Sequence, residues 1–245
     1  MTEAGDMIAA ASVGPERPGA TVPVAARPLP PRARRHAQVA DGLRRVIMLG
    51  ETAPGAALLE LELAGRFGCS QGVIREALLL LQEEGLVQRS GHRGTRVSDL
   101  NPEEAVEMLR LRRDLECRAA RRACARPAGR PGTLRADLET QLALMEAAAG
   151  AGDPYALAQA DREFHRRLFA EAGWPGLEPM LLRCLTHNHR FKLIAGPADL
   201  AHTAQRHLGI LEAAESRDGP ALAAALAHHV ATILDDGPSL LDDEA

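Results

Sequence analysis

Along most of this chain, apolar residues return every three or four positions, the spacing that gathers them on one face of an α-helix. Val39, Leu43, Val46 and Ile47 predict a helix from His36 to Leu49, closed by Gly50 and followed by a Pro54-Gly55 turn. Leu58, Leu61, Leu63, Ala64 and Phe67 predict a second helix, stopped by Gly68. Ser70 is placed to cap a third by accepting from its free N–H groups, and Val73, Ile74, Ala77, Leu78 and Leu81 are that helix's buried stripe. After Glu83-Glu84-Gly85 the period changes. Leu86-Val87 starts a strand, Ser90 to Gly94 is rich in turn residues, and Thr95 to Val97 returns. Two helices joined by a tight turn and followed by a small hairpin form a winged helix–turn–helix, with Gln71, Gly72, Arg75 and Glu76 on or near its outer surface.

Beyond Val97 only helical spacing recurs. Asn101 can cap, Pro102 suits a first helical position, and Glu103-Glu104 favour the positive helix end. That helix runs through Met108, Leu111, Leu115 and Ala119 to about Ala125, where a Pro/Gly-rich segment breaks it. Further helices are expected over 134–149, 153–172, 176–193, 200–216 and 219–234. The fold class is therefore mainly α, a winged helix–turn–helix followed by an all-α antiparallel bundle of about six helices. The expected divisions are a disordered leader over 1–35, the winged domain over 36–100 and the bundle over 101–245.

Composition agrees with helices, since hydrophobic residues make up 46% and aromatics only 2%. Cys69, Cys117, Cys124 and Cys184 form no C-x-x-C pair, which favours reduced thiols and an intracellular setting. No apolar run nears the roughly 20 residues that span a bilayer, and Glu3 and Asp6 argue against a signal peptide. A cytoplasmic location with no membrane partner is expected. The net charge of −4 is uneven: residues 36–100 are close to neutral, and residues 101–245 carry most of the acidic excess. A winged domain with so little net positive charge must rely on placement, with Arg75, Arg89, Arg93 and Arg96 on the recognition helix and wing and Glu51, Glu60 and Glu62 elsewhere. Arg32, Arg34, Arg35 and His36 make a short basic cluster before the first helix, which reads either as a phosphate contact or as a solvated linker.

Leu49-Gly50, Pro54-Gly55, Leu63-Ala64, Gly68, Ser70, Ile74-Arg75-Glu76-Ala77-Leu78, Glu84-Gly85-Leu86-Val87 and Arg93-Gly94 together resemble the DNA-binding domain of the GntR family of bacterial transcription regulators. The resemblance implies that Ser70, Gln71, Gly72, Arg75, His92, Arg93 and Gly94 face a double-stranded operator. Two positions where family members commonly carry DNA-contacting arginines hold Leu61 and Gln71. A Gln there can still bond an adenine edge. Each contact has a structural alternative: Arg75 could pair with nearby Glu76 or Glu83, His92 could be a solvated loop tip, and Gly94 could serve a turn that needs positive φ.

In the bundle, polar residues interrupt otherwise apolar helices. Asp161 and His165 are four apart, so they project from one face, and His207 and His229 lie on later helices. One carboxylate and three imidazoles suit a divalent transition ion, whereas by spacing alone they could equally be satisfied core residues. Asp161-Arg-Glu-Phe-His165, Arg206-His207 and His229 resemble the FCD domain, the ligand-binding half of FadR-type GntR regulators. That resemblance implies a metal, Zn or Ni, held by Asp161, His165, His207 and His229. His228 competes with His229, but adjacent helical residues point about 100° apart. His187 and His189 are expected to be exposed rather than ligating, and His202 is a further competitor. Arg112, in the family's Arg-x-x-Leu-Glu pattern, either clamps the carboxylate of a small effector or pairs with Glu116.

The implied whole is not an enzyme but a homodimeric regulator whose operator affinity follows a small organic acid bound at a metal site. A metal sensor and, further off, a metal-dependent hydrolase are the rival readings. Against the hydrolase, the chain has no H-E-x-x-H motif.

Overall fold

The computed structural model describes residues 32–89, 91, 94–126, 133–195 and 199–235. The leader up to residue 31, and His92 and Arg93 of the expected wing, lie outside the described residues. Helix α1 spans Arg32–Met48 and begins four residues before the expected start, since Arg-Ala-Arg-Arg contains no helix breaker. Ala57–Leu58 is a strand, β1, not the opening of a helix. It pairs antiparallel with β3 (Thr95–Val97), which also pairs antiparallel with β2 (Val87–Arg89), so the expected hairpin is a three-stranded sheet in the order β1-β3-β2. The Pro54-Gly55 turn sets this up, because Gly55 N–H bonds the Val97 carbonyl at 2.9 Å and Val97 N–H bonds the Ala56 carbonyl at 2.9 Å.

Helix α2 (Glu60–Phe67) consequently starts later and turns a different face inward. Leu63 is buried, whereas Leu61 is 72% exposed and Phe67 37% exposed, contrary to the stripe expected from spacing. Gly68 ends α2 with φ +57, and α3 (Gln71–Glu83) buries Val73, Ile74, Ala77, Leu78 and Leu81 as expected. Ser70 occupies the N-cap position of α3, but its hydroxyl makes no capping bond; its carbonyl takes the Val73 and Ile74 N–H groups instead.

The second half is built from α4 (Pro102–Ala125), α5 (Thr133–Ala151), α6 (Pro154–Ala170), α7 (Glu178–Ala195), α8 (Leu200–Gln205), α9 (Leu208–Ser216) and α10 (Gly219–Asp235). Asn101 caps α4 by accepting from Glu103 N–H at 2.9 Å, and Asp153 caps α6 by accepting from Tyr155 and Ala156. Phe164 and Leu168 of α6, Leu138 and Met145 of α5 and Leu222 and Leu226 of α10 share one core. Each such side chain contributes about 1.5–3 kcal/mol through burial. The single helix expected over 200–216 is broken at Arg206-His207. Its local cause is the His207 ring: Nδ1 bonds the Thr203 carbonyl at 3.0 Å, the acceptor a continuous helix would give to the His207 N–H, which bonds Ala204 instead.

The two halves meet through side chains of both. Tyr155, near the start of α6, is buried in the core of the winged domain, and Arg45 of α1 lies over its ring and pairs with Asp153 at 3.3 Å. Gly85, just beyond α3, packs against Arg183 and His187 of α7. Among the described residues no helix is long and apolar enough to cross a membrane.

Candidate metal centre and nucleic-acid interface

Four elements deliver the cluster in the bundle. Asp161 and His165 stand one turn apart on α6, His207 sits at the α8–α9 break, and His229 comes from α10. All four are buried, and one ligand atom from each lies within 4.8 Å of the others. Two ligands at about 2.0–2.1 Å span roughly 4 Å across a metal ion, so the set is close to coordinating size. His228 faces solvent, as does His202, while His229 is turned inward beside His207, with ring centroids 4.5 Å apart. Phe164 packs edge-on against both His165 and His207 and closes one wall.

Proton bookkeeping shows where the lone pairs point. Donation of His207 Nδ1–H to the Thr203 carbonyl leaves Nε2 as an acceptor 3.1 Å from Asp161 Oδ1. Two acceptors at that distance require a second ring proton or a cation between them. His165 donates Nδ1–H to Glu116 Oε2 at 2.9 Å, which turns its Nε2 lone pair inward, 3.8 Å from Asp161 Oδ2. His229 is 4% exposed, and neither ring nitrogen has a hydrogen-bond partner. Burial, joined by the nearby His207, His165 and Arg112, holds its pKa well below the ordinary value, so the neutral, ligand-competent ring is favoured. Burial would raise the Asp161 carboxyl, but His189 and His207 outweigh it and hold it well below the usual range. The donor set therefore fits a divalent transition ion held by Asp161, His165, His207 and His229.

Three neighbours change the sequence-based picture. His187 and His189, expected on the surface, are buried, because residues Cys184 to Arg190 of α7 are all enclosed by neighbouring elements. His189 Nε2 lies 2.9 Å from Asp161 Oδ2. Arg112 is fully buried, donating from Nε to Glu116 Oε1 at 2.7 Å, the pairing foreseen as one of its two alternatives, and approaching His165 Nε2 with Nη2 at 2.9 Å. It also lines, with Asp161, Asn188, His189 and His229, a cleft holding about 540 Å³ of empty space including its open mouth, whose walls include Leu157, Leu193 and Ile233. Glu116 was missed as a site residue; its place four positions after Arg112 was the available signal.

In the winged half, Ser70, Gln71, Gly72 and Arg75 are exposed around the N-terminal part of α3, and Gly94 is exposed with φ +75, a backbone that favours glycine. Arg75 pairs with Glu60 Oε2 of α2 at 2.6 Å rather than with Glu76 or Glu83, so Glu60 lies beside the recognition surface and not away from it. Glu76 instead meets His36 at 3.3 Å. Arg35 donates to the Gly68 carbonyl at 2.6 Å, which brings α1 onto the turn between α2 and α3. Arg96 is tied to the Gly55 carbonyl at 2.9 Å.

Residues 107–232 match the FCD domain family, and residues 35–97 match the family described as bacterial regulatory proteins, gntR family. The chain is 31% identical over 204 residues to the probable D-xylose utilization operon transcriptional repressor of Paenarthrobacter nicotinovorans, covering 80% of this chain and 86% of that protein. It is 29% identical over 201 residues to the transcriptional repressor RspR of Escherichia coli K12, covering 78% and 83% of the two chains. Among solved structures, McbR/YncC of E. coli aligns with a TM-score of 0.67 at 22% identity over 82% of this chain and 95% of that one. A GntR-type regulator from Rhodococcus sp. RHA1 aligns with a TM-score of 0.63 at 24% identity over 84% and 100%. Together with the winged helix–turn–helix and the helical second half, these matches place the chain in the GntR family of bacterial regulatory proteins, as a DNA-binding transcription regulator with an FCD domain.

Proposed function

We propose that this regulator holds a divalent transition metal, zinc or nickel, at Asp161, His165, His207 and His229, and that a small carboxylate effector bound beside it controls operator affinity. The observation that carries the reading is His229: a buried imidazole with both nitrogens unpartnered, converging with three other donors. An unpaired buried polar group costs about 1–3 kcal/mol, which ligation would recover. Bound there, the metal would supply a Lewis-acidic point for an anionic ligand. Arg112 adds a buried positive charge, and the open cleft gives access. The operator surface comprises Ser70, Gln71, Gly72, Arg75 and the wing positions His92, Arg93 and Gly94. The unit is a cytoplasmic homodimer, in which two winged domains address two half-sites and a change in their separation alters affinity. The domain divisions 36–100 and 101–245 belong to the same reading.

A metal-dependent hydrolase is less well supported. Glu116, the other carboxylate touching the cluster, has both oxygens engaged by Arg112 and His165 and is not free to serve as a base.

The test is a zinc and nickel titration of chelator-treated protein by calorimetry, followed by operator mobility shifts across a panel of small carboxylates. Stoichiometric uptake abolished by His229→Ala, with carboxylate-dependent operator affinity only in the loaded protein, is expected. Equal uptake by His229→Ala would overturn the site, and operator affinity indifferent to every carboxylate that binds would overturn effector control.

A further inference from the structure

Arg112, Glu116 and His165 close a triangle of hydrogen bonds in the bundle interior. Arg112 Nε donates to Glu116 Oε1 at 2.7 Å, His165 Nδ1 lies 2.9 Å from Glu116 Oε2, and Arg112 Nη2 lies 2.9 Å from His165 Nε2. All three side chains are buried, so no water competes for these bonds. A guanidinium can only donate, and an ionised carboxylate can only accept. Only one neutral tautomer of His165 satisfies all three edges: the proton on Nδ1, given to Glu116, and the lone pair on Nε2.

We infer that Glu116 is the positioning residue of this centre, the carboxylate that fixes the tautomer and ring orientation of His165 so that Nε2 is presented as a ligand atom. The inference rests on the proposed metal site for its consequence, but the tautomer itself does not depend on metal. A carboxylate behind a ligating imidazole is a general means of raising its basicity and locking its pose, and its loss costs roughly 10–100-fold in metal affinity. Here the carboxylate comes from α4, so the helix that carries Arg112 also fixes a ligand of α6.

The triangle makes Glu116→Gln a sharp test, because shape is kept while one acceptor becomes a donor. If the amide oxygen faces Arg112, its NH₂ meets His165 Nδ1–H; if it faces His165, its NH₂ meets the Arg112 donor. One edge must be donor against donor in either case, and the ring can relieve the first only by moving its proton to Nε2, where the ligand lone pair is lost. Adding Arg112→Met removes the competing donor and lets the amide oxygen turn to His165.

The experiment reads the His165 tautomer by two-bond proton–nitrogen correlation NMR in chelator-treated full-length protein, and zinc affinity by chelator competition. Wild type should show the Nδ1–H form. E116Q should lose it and bind zinc roughly 10–100-fold more weakly, and the R112M/E116Q double variant should regain the Nδ1–H form and most of the zinc affinity. An Nε2–H tautomer in wild type, or E116Q that keeps the Nδ1–H form, would overturn the inference even if zinc affinity fell. Should E116Q not fold, the tautomers of wild type and the double variant decide the matter. Should wild type take up no zinc, the metal reading fails, while the tautomer still decides the role of Glu116.

Discussion

The hydroxyl of Tyr155 donates to Asp41 Oδ1 at 3.1 Å, tying the first turn of α6 to α1 of the winged domain. Gln159 donates to the same hydroxyl at 2.6 Å, so the phenol is held from both sides. Asp161 and His165 lie six and ten residues further along that helix, about 9 and 15 Å at 1.5 Å per residue. One rigid element thus has its start in the core of the DNA-binding half and two proposed ligands in the bundle. A tilt of α6 imposed at the ligands would be felt at Tyr155, and this supplies a physical route between the sites.

Replacing Tyr155 tests that route. Tyr155→Phe removes the bonds to Asp41 and Gln159 and should cost about 1–2 kcal/mol, whereas Tyr155→Ala empties a core position and should cost about 3–5 kcal/mol. Thermal unfolding checks both. At temperatures where Tyr155→Phe is fully folded, zinc affinity should match wild type while the effector-induced change in operator affinity shrinks. An undiminished change would show that coupling runs elsewhere.

Periodicity within one helix was enough to find most helices here, and it separated His229 from His228, because α10 has one apolar face. It failed where burial is set by neighbours. From Cys184 to Arg190 every residue of α7 is buried, polar or not, so the segment has no face to read and His187 and His189 looked exposable. Leu61 misled for the opposite reason: an apolar residue at helical spacing stands on the surface because β1 pairing delays the start of α2. The break before His207 and the role of Glu116 both arise from side-chain hydrogen bonds, Glu116 through a partner 49 residues away and His207 through a ring-to-backbone bond four residues back. Apolar spacing carries no record of either.

The approach of Gly85 to α7 yields a second prediction. Its φ is +77, and an added Cβ would stand 2.8 Å from Arg183 Nε and 2.9 Å from His187 Nε2. Gly85→Ala should therefore destabilise by about 1–2 kcal/mol from backbone strain alone, and the two side chains must shift as well. The expected result is a lower urea midpoint together with weakened operator binding, because Gly85 directly follows the recognition helix. Unchanged stability would mean that the turn tolerates a side chain.

Acid should destabilise the metal-free protein. Burial is the largest cause holding His165, His187 and His229 below their ordinary value of 6.5, so the folded state keeps these rings neutral while the unfolded chain protonates them. The unfolded state then binds more protons below about pH 6.5, and stability falls as pH falls through that range. Glu116 acts with the same sign lower down: burial would raise its carboxyl, but His165 and Arg112 hold it at about 2 against an ordinary 4.5. Urea midpoints measured at about pH 8, 6.5 and 5 in the presence of chelator should decline monotonically. A midpoint that rises on acidification would contradict neutral burial of these histidines.

Arg75 and Glu60 give the most direct test of the recognition surface. With Leu61 and Gln71 at positions where arginine is common in the family, Arg75 is the basic side chain of α3, and its guanidinium is shared with Glu60 at 2.6 Å. The pair is exposed, and such pairs are worth about 0.2–1 kcal/mol, so breaking it for a phosphate or a guanine edge is inexpensive. A good bidentate base contact is worth about 1–3 kcal/mol, so Arg75→Ala should weaken operator binding roughly 5–150-fold while leaving thermal stability nearly unchanged. Glu60→Gln, which removes the competing acceptor charge, should tighten binding and lessen its dependence on salt-driven release of Arg75. Fluorescence anisotropy with an operator duplex at two salt concentrations measures both. Full affinity in Arg75→Ala would place recognition on the wing rather than on α3.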